Sequence, residues 1–331
     1  MKSNKLSNYF KNSNVNYCKG AKIYLVFMAA LLVSAIIIVS VIGFKLGFDF
    51  TGGTIVEVVY GVEFDANGNP YENGSPYDKE TTIKYLDEVF SEIGNMQLTS
   101  VQTENGSFGD TVVYKLLSSE KPTQEELDAI KTMLYEKFSE YDQNGLLQQN
   151  YISVYTVGDT KSDVAVYSSI ALSVAIVLLA IGALIRFGVS GGLSIFISTL
   201  LNVMLAFAVV LICRITVNVP FIASVFTIFV LSAISNLIYL DKVRDNSVKK
   251  ELSREEVANL SAKQSAPATL LILAVSLICL VLLTGFGVLP IREFALPVMV
   301  GIFFVALSTT FALPLLWKEI VFKKKKNKSG N

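Results

Sequence analysis

The sequence predicts a polytopic α-helical membrane protein, with six spanning helices and one α+β domain outside the membrane between the first and second. Three observations predict it. Of 331 residues, 52% are hydrophobic and only 17% charged, against about 25% charged in average soluble domains. Six apolar runs come near the roughly 20 residues that a spanning helix needs. A polar stretch, 45–163, separates the first run from the other five.

The first run, 23–44, reads IYLVFMAALLVSAIIIVSVIGF. It is too long for a signal-peptide core and no small-residue cleavage pattern follows it, so it is expected to be a retained anchor. The remaining spans are expected at 164–185, 190–213, 221–240, 267–288 and 294–317, with a polar loop at 241–266 and a basic tail at 318–331. Lys and Arg near span ends orient such helices. Lys2, Lys5, Lys11, Lys19 and Lys22 precede the first span, Arg186 lies between the second and third, Lys242, Arg244, Lys249, Lys250, Arg254 and Lys263 follow the fourth, and KKKK at 323–326 closes the chain. An even number of spans puts all of these on one side, expected to be the cytoplasm of a bacterial cell, with residues 1–22 and the tail both inside. The segment Asp49 to Asp159 holds 20 Asp and Glu against 6 Lys and is expected outside. The Lys runs satisfy this bias and are suited to anionic lipid.

The outer segment, 45–163, reads strand, helix, strand, strand, helix, strand. TIVEVVY at 54–60 is a strand, with Glu57 marking a wetter face. Residues 80–93 place Ile83, Leu86, Val89, Phe90 and Ile93 at helical spacing. Residues 97–104 and 110–117 form a hairpin around NGSFG. TQEE at 123–126 is a capping box, with Thr123 as N-cap and Glu126 reaching back, and opens a helix to about residue 140. YISVYTV at 151–157 is the last strand. This order is the split βαβ, ferredoxin-like pattern.

Several chemistries are excluded. There is no histidine, which rules out a His-based triad, a His-ligated metal site and a His pH switch within this chain. Cys18, Cys213 and Cys279 are far apart and read as small hydrophobes. The insert DANGNPYENGSPYDKE puts Pro70 and Pro76 where a calcium loop needs Gly and Glu. The sequons at 73–75 and 105–107 carry no argument in a bacterial-looking chain. No cofactor, metal, nucleic acid or enzymatic activity is expected.

GFDFTGGT at 47–54 stands where the first span meets the outer domain. Gly47, Asp49, Phe50, Thr51, Gly52, Gly53 and Thr54 match the G-I-D-F-T-G-G-T motif of the SecF family, whose members partner SecD in bacterial protein export, and the whole chain resembles that family. VGD at 157–159, Arg186-Phe187, FIASVFTI at 221–228, DKVRDN at 241–246 (with Asp241, Arg244 and Asn246) and FALPVMVGIFFVALSTT from Phe294 are similar to further family motifs, in order. Phe48 and Phe50 suit the membrane interface, the two glycines permit close backbone approach, and Asp49 is suited to accept backbone N–H groups at the bend. The motif reads as a structural joint, with coupling of outer-domain movement to the membrane half as the alternative.

The resemblance implies an accessory subunit of the Sec translocase. It would work beside a SecD-like subunit and a SecY-type channel, with a YajC-like protein as a further partner, and promote export of unfolded polypeptide with the proton motive force. Here the sequence departs from the family. The family's Asn and Asp in G-Y-S-x-N-D fall on Ile234 and Ser235, and Asn236 lies one residue on, about 100° around the helix. A His-Asp pair in span three becomes Leu201-Asn202, and an Arg in span five becomes Ala268, before Thr269. Ser198, Thr199, Asn202, Thr227, Ser232, Ser235 and Asn236 cannot change charge near neutral pH, and such residues commonly join helices. If protons move through the complex, the titrating groups then belong to the partner; the alternative is a lineage that does not use protons at all. Asp241 is expected in an ion pair beside Lys242 and Arg244. Two other readings stay open: a half-transporter for a small molecule or lipid, and a non-conducting scaffold.

Overall fold

A computed structural model describes residues 17–43, 45–60, 78–92, 96–106, 109–118, 123–139, 152–157, 161–248, 252–286 and 289–328. The chain divides into two compact units: Leu46–Asp163, and Met1–Lys45 with Val164–Asn331.

The first of these holds α2 (Phe48–Thr51), β1 (Gly53–Tyr60), α3 (Lys79–Glu92), β2 (Met96–Gly106), β3 (Gly109–Ser118), α4 (Gln124–Ser139) and β4 (Ile152–Val157). The sheet order is β2-β3-β1-β4, all neighbours antiparallel. Strand side chains alternate between faces. Val56, Val58 and Tyr60 of β1 therefore join Val112, Tyr114 and Leu116 of β3 in one core with Leu86 and Val89 of α3 and Leu127, Ile130 and Leu134 of α4. Ile55 and Val113 point to the other face, where they meet Phe48. Glu57 is half-buried and accepts a hydrogen bond from the Tyr155 hydroxyl at 2.6 Å. The Tyr114 hydroxyl donates to Asp87 at 2.5 Å. Burial, with that carboxylate beside it, pushes the phenol above its usual range. The capping box forms in both directions: the Thr123 N–H donates to Glu126 at 2.8 Å and the Glu126 N–H to Thr123 Oγ1 at 3.3 Å. Residues 65–77 of the calcium-like insert and the sequon at 73–75 lie outside the described residues, as does residue 107 of the second sequon.

The other unit holds α1 (Tyr17–Ile42), α5 (Lys161–Ile212), α6 (Val219–Ser247), α7 (Arg254–Phe286), α8 (Leu289–Leu307), a π-helical segment (Ser308–Ala312) and α9 (Leu313–Lys328). Among the described residues, five helical stretches are long and apolar enough to cross a membrane. One of them, Asp163–Ile212, has 50 residues. A straight helix of that length would measure about 75 Å, against a hydrocarbon core of about 30 Å. Gly188, at φ 75° and ψ −178°, breaks it. A Cβ on Gly192 would lie 2.9 Å from Leu184 Cα and 3.0 Å from the Ala180 carbonyl. In a straight helix the latter pair would stand about 18 Å apart, so the chain turns back on itself at Gly188.

The helices run beyond the apolar runs. α1 includes Tyr17 and Cys18, inside the segment read as a polar terminus, and Tyr17, Cys18 and Ala21 are buried. Tyr17 and Cys18 share a cluster with Tyr239, Val257, Ala258, Leu313 and Trp317. The segment read as a loop at 241–266 is largely helical. A second capping box starts α7: the Ser253 N–H donates to Glu256 at 2.7 Å and the Glu256 N–H to Ser253 Oγ at 3.3 Å. That S-x-x-E signal was present in the sequence.

Close packing of α6 and α8 rests on Gly301. A Cβ there would meet Ile228 Cγ1 at 2.4 Å and Cδ1 at 2.5 Å. Small residues permit such approach between spanning helices. Gly301→Ala is expected to lower the melting temperature of the full chain, and Ile228→Ala in the same chain to restore part of it. An additive double variant would mean that the two positions do not share this contact.

Candidate functional site

The polar residues of the membrane unit gather at one centre. Asn202 and Ser198 lie on the second arm of α5, one turn apart. Ser232 and Asn236 lie one turn apart on α6. Ser308 and Thr309 enter from the π segment. All six are buried. Asn236 is the hub. Its Oδ1 accepts from Ser198 at 3.3 Å and from Thr309 at 3.1 Å. Its Nδ2 donates to Thr199 at 3.1 Å and to Ser232 at 3.3 Å. Asn202 Nδ2 donates to Ser232 at 2.8 Å. Ser308 stands 3.3 Å from Ser198. With the Ser198 proton directed at Asn236, Ser308 is the donor.

The π segment explains why Ser308 and Thr309 both reach this centre: the widened turn changes the angular spacing of neighbouring side chains, and such segments recur at functional sites. Sequence reading used these two residues as a family motif but not as members of the polar centre. Asn236, set aside as a stand-in for the family's carboxylate because of its 100° offset, is the residue around which the others bond. Ser235 is also buried, with no hydrogen-bond partner among the described residues. Thr227 takes no part: it is half-buried and its hydroxyl donates to Ala223 of its own helix. The centre consists of neutral hydroxyls and amides. It can hold helices together and bind water, and none of its groups changes charge near neutral pH.

The segment from Gly47 to Thr54 forms a tight turn within the unit Leu46–Asp163. Gly47 precedes α2, and Thr51 Oγ1 donates back to the Gly47 carbonyl at 3.1 Å. Asp49 lies in the first turn. Gly52 adopts φ 68° and ψ −177°, a region almost confined to glycine. Gly53 starts β1 so close to β3 that a Cβ would stand 2.3 Å from the Leu116 carbonyl. Phe48 and Phe50 were read as interface aromatics. Both are instead buried within this unit, Phe48 with Ile55 and Val113 and with Lys115 Nζ 5.8 Å from its ring centre. Thr54 is fully buried.

At the far end of α6 the expected ion pair has a different partner. Asp241 accepts from Arg186 at 3.0 Å, while Lys242 pairs with Asp245 at 3.6 Å. Lys242, the next residue, points to a different side of the helix from Asp241, and the turn at Gly188 brings Arg186 alongside. Both Arg186 and Asp241 are substantially exposed, and pairs of that kind contribute about 0–1 kcal/mol. Arg244 is exposed. Asn246 is buried and its Nδ2 donates to Ser261 at 3.1 Å and Gln264 at 2.9 Å, tying α6 to α7.

Sequence reading missed a junction at the opposite end of the helices. Arg214, at φ 55°, donates to the Gly43 carbonyl at 2.7 Å just past the end of α1. The Val217 N–H donates to the Lys45 carbonyl at 2.9 Å. Asn218 caps α6 by accepting from the Phe221 N–H at 3.2 Å, and its amide donates to Glu293. The Asn-x-Pro signal for that cap was readable. The long-range bond of Arg214 was not.

Comparison with known proteins follows this architecture. The family described as "Protein export membrane protein SecD/SecF, C-terminal" matches residues 138–323. A protein named protein translocase subunit SecF from Sebaldella termitidis is 26% identical over 317 residues, covering 94% of each chain. The SecDF subunit of Bacillus subtilis is 24% identical over 301 residues, which cover 89% of this chain and 37% of that protein. A crystal structure of SecDF in a super-membrane-facing form superposes with a TM-score of 0.66 at 21% identity, covering 96% of this chain and 40% of that one. The chain thus spans about two fifths of the SecDF proteins and nearly the full length of the SecF relative. It is a multi-pass membrane protein and belongs to the SecD/SecF family of protein export membrane proteins.

Proposed function

We propose that this chain is a SecF-type accessory subunit of the Sec protein translocase, acting with a SecD-like partner to promote the export of unfolded polypeptide. The observation that carries this reading is co-linearity: relatives named SecF align along almost the whole chain, through both units. The B. subtilis relative, named SecDF, is far longer than this chain, which supports a SecD-like partner where the two parts are separate. A SecY-type channel, a YajC-like protein and anionic lipid are the further contacts this role calls for.

The finer architecture proposed is six spans, with both termini cytoplasmic and a ferredoxin-like outer domain. The reversal at Gly188 within a 50-residue apolar stretch supports counting it as two spans. The strand order β2-β3-β1-β4, with α3 and α4 packed into one core on one face, supports the ferredoxin-like assignment. The distribution of Lys and Arg supports the orientation. The segment 47–54 serves as the joint between span and domain.

Affinity purification of the tagged chain from its own membranes in mild detergent tests the role. A SecD-like protein is expected in stoichiometric amount. Recovery of the chain alone, or with an unrelated transport protein, would sink the reading. A scaffold role within the same complex is favoured by one observation, the neutral polar centre. On that reading, proton-coupled steps use carboxylates of the partner. Ser235→Asp then lowers thermal stability and leaves the dependence of export on the proton motive force unchanged. A gain in that dependence would instead assign this chain a part in coupling.

A further inference from the structure

Around Ser232 the membrane unit has more hydrogen-bonding capacity than its own side chains fill. Asn202 Oδ1, Ser235 Oγ and Thr269 Oγ1 are buried and have no partner among the described residues. Asn202, Ser235 and Thr269 expose at most 1% of their surface. Buried polar groups are almost always bonded to protein or to ordered water. Turning the Asn202 amide over would exchange which of its atoms is unpaired, without removing the deficit.

These atoms belong to one neighbourhood. The Asn202 amide is held 2.8 Å from Ser232 Oγ, and its two terminal atoms share one carbon. Ser235 lies one turn from Ser232 on α6, where residues three apart are neighbours. Thr269 comes from α7, which runs antiparallel to α6. Asn246 of α6 bonds Ser261 of α7. Eight residues back from Asn246 and eight on from Ser261, the antiparallel pair brings Thr269 level with the α6 turn from Ser235 to Tyr239. Ser232 itself accepts from Asn202 and Asn236, and neither bond uses its own proton.

We infer that this point between the second arm of α5, α6 and α7 is an ordered-water site. One water donates to Asn202 Oδ1 and accepts from the hydroxyls of Ser235 and Thr269. Three polar partners are typical of a buried water. The site extends the Asn236 network from the π segment to α7, so that four helical segments share one hydrogen-bonded centre. Its ligands are neutral, and the water is held as a structural element with no charged group to ionise beside it.

Thr269→Val tests this by sign, in the full chain with its co-purifying partner in lipid nanodiscs. Valine matches threonine in shape and lacks the hydroxyl. If Thr269 holds a water, Thr269→Val lowers the melting temperature, and Thr269→Ser keeps most of it. If the hydroxyl is bonded to nothing, replacing it removes a buried unpaired group and the melting temperature stays or rises, which overturns the proposal. Ser235→Ala combined with Thr269→Val is expected to cost less than the sum of the two, because both act on one water. Additive losses would also overturn it. A high-resolution map of the same sample is expected to show a density within about 3 Å of at least two of the three atoms. A density that depends on sodium, lost when choline replaces it, would reassign the site to a cation and end the water proposal.

Discussion

Asn236→Leu is expected to lower the unfolding free energy of the full chain by about 2–4 kcal/mol, the loss of four interhelical and intrahelical bonds averaging about 0.6 kcal/mol each plus part of the cost of leaving buried hydroxyls unpaired. Leucine has a similar volume, so the effect reports on hydrogen bonding rather than on a cavity. The loss falls on Ser198, Thr199, Ser232 and Thr309 together. These residues come from α5, α6 and the π segment, so the substitution loosens the centre of the unit rather than one helix. Reversible unfolding in mixed detergent micelles, followed by the fluorescence of the single tryptophan, Trp317, gives the measurement. Trp317 is buried in the same unit. A change below about 1 kcal/mol, within what most surface substitutions produce, would show that the network does not bind the helices.

Gly53→Ala is expected to destabilise the unit Leu46–Asp163 by about 2–4 kcal/mol, the upper part of the range for backbone strain and for overpacking against a fixed backbone. Gly53 has φ 156°, and its new methyl would meet the Leu116 carbonyl, an atom held by the sheet itself. Thr54 pairs with Leu116 in the antiparallel ladder, so relief of the clash requires the start of β1 to part from β3. Hydrogen exchange of the full chain, read by mass spectrometry, is expected to rise in peptides covering 53–60 and 111–118. It should stay unchanged in α6. Equal protection in both strands would mean that the joint tolerates a side chain, and that the glycine pair serves something other than close approach.

The elements were legible where local chemistry decides them. The order of strands and helices in the unit Leu46–Asp163 could be read from alternation, helical spacing and one capping box, and each expected helix or strand there lies within a residue or two of an observed one. The apolar runs fall on the long apolar helical stretches because length and hydropathy are properties of the chain alone. Their extents were less legible: Tyr17 is helical and Ser253 caps a helix in segments too polar to attract attention, and Tyr17 is buried with residues as distant as Trp317.

The polar centre was legible only as a list. Ser198, Asn202, Ser232 and Asn236 could be picked out as polar residues in apolar helices. The sequence determined that this centre is neutral, since side-chain chemistry travels with the residue. It also determined that the chain is built for lipid around one acidic polar insert. Which polar atoms meet was decided by the tertiary structure. A single residue along α6 is about 100° of rotation, enough to make Asn236 the hub and leave Ser235 outside its direct bonds. A π turn brings in Ser308 and Thr309, and a reversal at Gly188 sets Arg186 on Asp241. Each of these depends on angles accumulated over whole helices and on the register between them, and no window of sequence contains both sides of such a contact.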